Sequence, residues 1–541
     1  MAATVLAGCA IPIPEDGIDA KRMRFENFNN YRYCEFFLIG GTQLTEPVIA
    51  EDSPGRKETF MKDGKSNAMR AVRLMIWALA VLLIAGCASR PINAPITQVD
   101  PRSGYRPYLL IPKRQNNDPY TLFVLSFSGG GTRAAAFSYG VLEELQRTEI
   151  VVNGQHRRLI DEVDLITGVS GGSFTALSYA LYGDRLFSEY EERFLKRDVE
   201  GALTRRVMNP FNWWKFIGGS AGRSELAAEY YDEILFEEAT FGDLLDKQAP
   251  VALATGTDLS TGSRLAFFQN DFDLLCSDLN SVRLSRAAAT SSAVPIVLSP
   301  VTFNNYGGNC GYQYPAWVAS VANPKTRSRP SARAFQRYRE MQDFQNSKDR
   351  PFIHLVDGGV SDNIGVRGVL EALEELAASA AFQGEIGFGV VQRIVLMVVN
   401  ARSSPSTDWD RRESPPGTIS QLLQASGVPI ERYSFETVET MKDRAEITKW
   451  RRDLLVAKAR LAGASEEEAE ASIPKVSLQV LDVSFDAIAD PKERAYFMDL
   501  PTSFVLPAEN IDRLREVAGM LLRQSAEYEL VVRELGGSPG D

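Results

Sequence analysis

Residues 163–172 read Val-Asp-Leu-Ile-Thr-Gly-Val-Ser-Gly-Gly, and this stretch decides the fold. Its first five residues have the composition of a buried strand, and an Ala/Leu-rich helical pattern follows over residues 173–182. Gly168 and Gly172 give the turn the room that a Gly-x-Ser-x-Gly nucleophile elbow needs, and the helix start places partial positive charge beside the Ser170 hydroxyl. A glycine-rich turn in which Ser170 only caps the helix would share the pattern. The motif makes Ser170 a candidate nucleophile.

Two other segments have the same Gly-x-Ser-x-Gly spacing. They are Gly218–Gly222, around Ser220, and Gly536–Gly540, around Ser538. The first follows aromatic residues inside an apparent insertion, and the second has a proline where a helix would begin. Of the three serines, Ser170 alone has a strand pattern before it and a helix pattern after it.

A second strand-to-helix turn is rich in glycine. The apolar run Leu122–Phe127 is followed by Ser-Gly-Gly-Gly-Thr-Arg at 128–133. Consecutive glycines let backbone N–H groups approach an anion. The spacing Gly129-x-Gly131-x-x-Ala134 also fits a dinucleotide fingerprint, but no acidic residue ends a strand about 20 residues further on. A Walker loop is excluded because the Gly-Lys-Ser/Thr ending is missing. Beside a nucleophile elbow the loop is interpreted as an oxyanion hole, formed by Gly129, Gly130, Gly131 and Arg133.

A third motif, Asp357-Gly358-Gly359, closes the apolar run Phe352–Val356. By itself Asp-Gly is an ordinary turn pair. The chain has two histidines, His156 and His354, and neither follows Asp357, so the Ser-acid-His order of an α/β-hydrolase triad is impossible with this acid. His354 is expected to pack or hydrogen-bond within its own strand. By elimination Asp357 would itself accept the proton of Ser170, and the oxyanion hole would supply much of the stabilisation.

Strand and helix patterns alternate between residues 120 and 400. Further strand-type runs are Val251–Thr257 and Ile394–Asn400, and helical spacing covers Ala134–Leu145. The alternation predicts an α/β fold of three layers, α/β/α, with a mostly parallel central sheet and inserted helical segments. The insertions are 184–246, 302–350 and 401–475.

Two of these later segments have distinctive composition. The first insertion contains Phe211–Phe216, the most aromatic stretch, which would form a lid or bilayer contact, or else part of the core. Residues 401–541 are expected to be a C-terminal extension that packs on the catalytic domain. It contains a charged helix pattern, Glu436–Leu461, interpreted as a solvated face, and a strand-like Ser503–Leu506 before an amphipathic helix.

The glycine-rich loop, the serine elbow and the Asp-Gly-Gly motif together resemble the patatin-like phospholipase family over about residues 120–400. The resemblance implies that Ser170 attacks an acyl ester and that Asp357 activates it, and it implies no calcium requirement; the sequence itself has no metal motif, so no metal or cofactor is expected. Ala287–Pro295 is similar to the family's Ser-Ala-x-Pro segment beneath the site. Ala134 stands where the family usually has glycine.

Residues 69–86 are typical of an export signal, because basic residues precede the apolar run Leu74–Ile84. Eleven apolar residues are about half of the ~20 that a membrane span needs. The end of the signal, Ile-Ala-Gly-Cys at 84–87, resembles the lipobox of bacterial lipoproteins, which implies acylation of Cys87 and sorting to the outer membrane. A buried helix with a chance cysteine is the alternative.

This signal begins after 68 residues, so we expect translation to start at Met69 and residues 1–68 to be a non-native extension. Residues 88–119 contain six prolines among polar residues, which predicts a semi-extended tether between Cys87 and the catalytic domain.

Composition excludes other classes of protein. The 541-residue chain has a net charge of −11, so a primary nucleic-acid role is excluded. No CxxC pair supports a zinc site, and Cys276 and Cys310 could pair or remain free thiols. The sequence thus predicts a membrane-anchored lipid acyl hydrolase that uses a Ser-Asp dyad on phospholipid or another acyl lipid. A non-catalytic lipid-binding lipoprotein, and an esterase or thioesterase of soluble acyl groups, are the alternatives.

Overall fold

The structure is a computed structural model that describes residues 90–537, except 115–116, 153, 217–221, 323–331, 379–389, 405–408 and 474–475. The described residues all lie within the unit Leu74–Asp541. The export signal with Cys87, the extension 1–68, and the alternative serines Ser220 and Ser538 lie outside the described residues, so those predictions stay predictions.

The strand-type runs of the sequence form strands. The strands are β1 (Thr121–Phe127), β2 (Glu149–Val152), β3 (Gln155–Arg158), β4 (Val163–Gly168), β5 (Val251–Asp258), β6 (Arg264–Ala266), β7 (Val301–Asn304), β8 (Phe352–Asp357), β9 (Arg393–Asn400) and β10 (Ser477–Ser484).

Eight of these strands make one sheet in the order β10-β9-β1-β4-β5-β8-β7, with β6 paired to β5, while β2 and β3 form a separate hairpin. Strands β10, β9, β1, β4 and β5 are parallel to one another. Strands β6 and β8 are antiparallel to β5, and β7 is antiparallel to β8. The predicted mostly parallel sheet is confirmed, and the sheet becomes antiparallel on the side that carries β8.

Helices cover both faces of the sheet. They are α1 (Pro107–Leu110), α2 (Gly131–Arg147), α3 (Gly171–Tyr182), α4 (Leu186–Tyr190), α5 (Val199–Met208), α6 (Arg223–Tyr231), α7 (Gln269–Leu274), α8 (Leu284–Ser291), α9 (Ala316–Ala322), α10 (Ala332–Gln345), α11 (Gly359–Asp362), α12 (Arg367–Ala378), α13 (Thr418–Leu461), α14 (Glu466–Ser472), α15 (Pro491–Asp499), α16 (Ala508–Arg523) and α17 (Ala526–Glu534). Among the described residues no helix has the length and apolar character to cross a bilayer.

Alternate residues of the central strands face opposite layers, which is the reason for the three-layer architecture. In β1, Phe123 and Leu125 belong to the large core that contains the apolar faces of α2, α3 and α16. Val124 between them belongs to a second core with Val366 and Leu370 of the α12 region and with Met441 of α13. The predicted α/β/α layering is therefore observed.

The C-terminal extension completes the fold. Strand β10 pairs with β9 along its whole length, and α16 packs along α2. The predicted strand Ser503–Leu506 is wrong, because this segment forms bends and the carbonyl of Ser503 accepts a hydrogen bond from the amide of Thr132. Phe504 packs against the large core, so the apolar residues of this run fill space between helices and take no part in the sheet.

The segment before β1 is extended but bound to the domain, which differs from the predicted tether. Asn93 Nδ2 donates to Ser277 Oγ at 2.8 Å, and the Arg106 guanidinium pairs with Asp273 at 2.7 Å. The nearby Cys276 and Cys310 form a disulfide with their Cα atoms 5.5 Å apart, which settles the two possibilities that the sequence left open. The segment includes a short α-helix, α1, which begins at Pro107, and its side chains secure it to the domain.

Candidate active site

Ser170 lies in a two-residue turn between the end of β4 at Gly168 and the start of α3 at Gly171. Its φ of 48° and ψ of −120° form a conformation that residues with a side chain rarely adopt. The flanking glycines permit it: a β-carbon on Gly168 would lie 2.7 Å from the carbonyl oxygen of Gly172, and one on Gly172 would lie 2.6 Å from that of Ser128. The turn is thus the strained elbow that the Gly-x-Ser-x-Gly spacing predicts.

Asp357 reaches this elbow because β8 runs against the parallel strands. Only the last three residues of β8 pair with β5, with Asp357 opposite Gly256 and Leu355 opposite Asp258. Strand β4 ends two residues earlier along β5, because Gly168 pairs with Ala254 of β5. Strand β8, which runs in the opposite direction, therefore ends at the carboxyl edge of the parallel strands. The structure places the two predicted residues at one edge of the sheet, although on strands of opposite direction.

The Asp357 carboxyl is buried, and burial raises its pKa to about 7. Two hydrogen bonds oppose this rise: the Gly359 amide donates to Oδ1 at 2.7 Å, and the Ser170 side chain bonds to the carboxylate. The strand end is fixed as well, because the Asp357 amide donates to the carbonyl of Ala293 at 2.9 Å. A carboxyl with a pKa near neutrality is better matched to accept and return a proton than an ordinary aspartate is.

The glycine-rich loop packs directly on the elbow. A β-carbon on Gly129 would lie 3.3 Å from the Cβ of Ser170, and one on Gly171 would collide with the backbone of Gly131. Gly130 and Gly131 have φ angles of 140° and 60°, which glycine adopts without strain. In the part of the chain that the structure describes, no acceptor is bonded to the amides of these two glycines. Helices α2 and α3 both begin at this point, so their dipoles favour negative charge beside Ser170.

Residues 125–370 match the family model of patatin-like phospholipases. This segment is a patatin-like phospholipase domain. It contains the loop, the elbow and the Asp-Gly-Gly motif, and it ends before β9, so the patatin-like domain and the C-terminal extension share one sheet.

Solved structures similar to the chain include human GIVD cytosolic phospholipase A2, with 13% sequence identity, 79% of this chain covered and a TM-score of 0.37. The alignment spans 62% of the length of that human protein. VipD from Legionella pneumophila has 10% identity over 81% of this chain and 74% of its own, with a TM-score of 0.22. ExoU of Pseudomonas aeruginosa, solved with SpcU, has 14% identity over 82% of this chain and 85% of its own, with a TM-score of 0.19. No curated protein matches the chain.

Two members of the predicted oxyanion hole, Gly129 and Arg133, already have other hydrogen-bond partners. The amide of Gly129 donates to the carbonyl of Asn363 at 2.8 Å, so this N–H is already committed. The buried guanidinium of Arg133 donates to the carbonyls of Ala401 and Leu500 and to Thr502 Oγ1. Burial lowers the pKa of Arg133 to about 10, which leaves it charged at neutral pH. Of the predicted donors, the amides of Gly130 and Gly131 have no acceptor among the described residues, while Arg133 binds the C-terminal extension to the loop, and the oxyanion hole itself stays a prediction.

Two residues of the site have no role in the sequence analysis. Ser291, at the end of α8, accepts the amide hydrogen of Ser170 on its Oγ at 2.9 Å, and so holds the elbow from below. It belongs to Ala287–Pro295, which the family resemblance placed beneath the site without assigning a residue. The side-chain oxygen of Asn363 lies against Gly129 and Gly359, and thus between the loop and the Asp-Gly-Gly turn. No sequence pattern signals Asn363, because its position depends on the turn after α11.

Both histidines are remote from this chemistry. Nδ1 of His354 is hydrogen-bonded at 2.9 Å to Thr302 Oγ1 of the neighbouring strand β7, whereas the sequence predicts a partner within its own strand. His156 lies on the β2–β3 hairpin, which precedes the opposite end of β4 from Ser170. The described residues therefore offer Ser170 a carboxylate neighbour and no imidazole.

The aromatic stretch of the first insertion forms a short 3₁₀ helix, Pro210–Phe216. Phe211 and Trp213 are exposed, and Trp213 Nε1 donates to the carbonyl of Val207. These two side chains are therefore not core residues. Ile296 and Val297, in the segment that follows the Ala293 carbonyl under Asp357, are also exposed, and Ile296 accepts a hydrogen bond from Arg223 of α6. The first insertion and the site segment thus present apolar side chains to solvent.

Proposed function

We propose that the protein is a serine acyl hydrolase that cleaves carboxylic esters of membrane lipids, of the phospholipase A or lysophospholipase type. The observation that carries the proposal is the strained Ser170 turn with the buried Asp357 carboxyl as its neighbour. The match of residues 125–370 to patatin-like phospholipases supports a lipid ester as the substrate class.

In the first half of the reaction, Ser170 Oγ would attack the ester carbonyl carbon while its proton passes to the Asp357 carboxylate. The carbonyl oxygen becomes an oxyanion that the amides of Gly130 and Gly131 would bind, each contributing about 3–4 kcal/mol of transition-state stabilisation. The intermediate collapses when the C–O bond to the alcohol breaks. The leaving alkoxide takes the proton back from Asp357, and an acyl-enzyme on Ser170 remains.

In the second half, a water molecule would attack the acyl carbon and give a proton to the same carboxylate. The C–O bond to Ser170 Oγ then breaks, the serine recovers the proton, and a carboxylic acid leaves. Asp357 therefore acts once as base and once as acid in each half, which suits a pKa of about 7. The exposed Phe211, Trp213, Ile296 and Val297 would contact the apolar part of a lipid surface.

The first experiment treats the full chain with a fluorophosphonate probe and locates the adduct by mass spectrometry. We expect one adduct, on Ser170, because the probe mimics the tetrahedral intermediate that the loop binds. Ser170→Ala and Asp357→Asn should abolish it, and a phosphatidylcholine panel with ester labels at each position would then assign the cleaved bond.

Asp164→Asn is the matched control. Asp164 is also a buried aspartate whose pKa burial raises to about 7, but it lies at the start of β4 and accepts from the amide of Phe123 and from Asn117. Labelling should survive in a folded Asp164→Asn protein. A folded wild type without an adduct on Ser170 would favour a lipid-binding protein without catalysis, and an adduct on Ser220 would mean that a different elbow is active.

We further propose that the protein is exported and anchored by a lipid on Cys87 to the bacterial outer membrane. The lipobox-like sequence supports this, and the Cys276–Cys310 disulfide fits an oxidising compartment. Metabolic labelling with a palmitate analogue should give a labelled protein that Cys87→Ser removes, with an intact mass that starts at residue 87. Retention of residues 1–68 would contradict the proposed start at Met69.

A further inference from the structure

The second half of α13 has an exposed apolar stripe. Ile447, Trp450, Leu454 and Leu461 are 60%, 65%, 57% and 89% exposed, although all four are large apolar residues. Their spacing of three, four and seven residues places them on one face of the helix. Such a continuous apolar stripe differs from the single exposed apolar residues that every protein has.

The rest of this helix explains why the stripe faces outward. Val438 and Met441 lie on the opposite side of α13 and are buried in the core against β9. On the same side Lys442 pairs with Asp482 of β10, and Arg452 pairs with Glu470 of α14. These contacts fix the rotation of α13 about its axis, so the stripe points away from the domain. The high exposure of its four side chains means that no described residue packs over the stripe.

Basic residues lie beside the stripe. Residues 442–461 contain seven lysines and arginines against three acidic residues, in a chain whose net charge is −11. Arg451 and Lys458 lie along one edge of the stripe. No ion pair joins either of them to another described residue. A tryptophan in an apolar stripe with basic residues along its edge is typical of a helix that lies in the headgroup layer of a membrane.

We propose that residues 446–461 of α13 dock in the plane of a bilayer that contains anionic lipids. The stripe enters the acyl boundary, and the flanking cations contact the headgroups. Negative headgroups complement this surface, whereas a second copy of the same face would bring the two basic edges together.

The docking surface is connected to the candidate site through the same helix. Residues Ile430, Tyr433, Ser434 and Thr437 of α13 line a crevice together with Gly359–Ile364, the segment that follows Asp357. A bilayer held by the second half of α13 would therefore lie on the molecule at a fixed position relative to Ser170. The biological reason for this docking rests on the proposed function, whereas docking itself needs no catalysis.

The experiment measures vesicle binding by the full chain with Cys87→Ser and Ser170→Ala, so that neither acylation nor turnover contributes. Sedimentation with phosphatidylcholine vesicles is compared with sedimentation with vesicles that also contain phosphatidylglycerol. We expect binding to the anionic vesicles that salt weakens, and a loss of about tenfold in affinity for Leu454→Ser and for Trp450→Ser. Leu259→Ser, at a leucine that is also 57% exposed, should bind like the parent.

A conservative variant guards against misfolding. Brominated lipids should quench tryptophan emission in the parent, and Trp450→Phe should bind normally but lose part of that quenching. Arg451→Glu with Lys458→Glu should remove the preference for anionic vesicles.

The proposal is overturned if Leu454→Ser binds as well as Leu259→Ser, if Trp450→Phe is quenched like the parent, or if the protein forms a lipid-free dimer that Leu454→Ser dissociates. Vesicle binding without a Ser170 adduct would refute the proposed hydrolase and leave the docking inference intact. An adduct without stripe-dependent binding would do the reverse.

Discussion

Burial raises the pKa of both Asp164 and Asp357 to about 7, but the two carboxyls differ in their hydrogen-bond partners. Asp164 is bonded to the Phe123 amide, to Asn117 and to Arg114, so its oxygens already have partners. Asp357 receives the Gly359 amide on Oδ1, and otherwise has the Ser170 side chain beside it. A base needs an oxygen with room for an incoming proton, and of the two carboxyls only Asp357 has a hydroxyl in that position.

The pH dependence of turnover follows from the Asp357 pKa. Since the carboxylate must accept the Ser170 proton, kcat/KM should rise tenfold per pH unit below about pH 7 and level off above it. The measurement is a pH profile with a soluble ester, so that vesicle properties do not vary. A profile that rises near pH 4, as for an exposed aspartate, would contradict the burial of this group.

The same pKa has an effect on stability. Because it is raised in the folded state, the folded protein holds a proton between about pH 4 and 7 that the unfolded chain has lost, so the free energy of unfolding falls as pH rises through this window. Asp357→Asn cannot lose this proton. It should be more stable than wild type above pH 7, by on the order of 1–4 kcal/mol, and show a shallower decline in urea unfolding, because Asp164 still contributes a decline over the same window.

The strained turn at Ser170 gives a second prediction at this scale. Because its φ is positive, Ser170→Gly should have a free energy of unfolding about 1 kcal/mol above that of Ser170→Ala, although both are inactive. Ser178, in the middle of α3, is the control: there glycine should be less stable than alanine by about 1 kcal/mol, because the helix interior disfavours it. If chemical denaturation gives the same order of stability for the glycine and alanine variants at both positions, the turn at Ser170 is not strained.

At the scale of elements, the sequence patterns locate the strands that carry chemistry to within a residue or two. Val163–Thr167 and Phe352–Val356 are apolar runs that end at a turn motif, so both their type and their ends are legible. The antiparallel direction of β8 cannot be predicted from the sequence pattern, because strand direction depends on how the chain returns to the sheet. Ser503–Leu506 has strand composition, yet it fills a gap beside the glycine-rich loop. Long-range packing decides these two cases.

Arg133 connects two such elements, and its removal tests that connection. Arg133→Ala would leave the carbonyls of Ala401 and Leu500 without their donor, so we expect a loss of about 2–4 kcal/mol in the free energy of unfolding. Arg158 is the control, since its ion pairs with Asp161 and Asp184 are partly open to solvent and Arg158→Ala should cost about 1 kcal/mol or less. A stable Arg133→Ala protein that loses only fluorophosphonate labelling would instead return Arg133 to the oxyanion hole.

At the scale of the whole molecule, segments distant in sequence complete the domain around its site. The N-terminal segment is held by side chains at Asn93 and Arg106, while the C-terminal extension supplies β10 and α16. The matched segment 125–370 therefore lacks an edge of its own sheet. Motif spacing cannot reveal that the sheet needs these flanking segments. Motifs mark the residues that carry the chemistry, whereas the flanking segments complete the sheet and cover its apolar core.

The Cys276–Cys310 disulfide lies where these flanks meet the domain. Ile96 donates its amide to the carbonyl of Cys276, and Val99 donates to that of Cys310, so the bridge supports the N-terminal segment on both sides. It closes a 34-residue separation, which constrains the unfolded chain, so Cys276→Ala with Cys310→Ala should lower the free energy of unfolding by about 3 kcal/mol. Dithiothreitol should destabilise wild type equally in urea titrations and leave the double variant unchanged. Because the bridge is remote from Ser170 in the chain and contacts none of the residues that position it, labelling below the unfolding transition should be unaffected. A wild type insensitive to reductant would show that the two thiols are not joined in the folded protein.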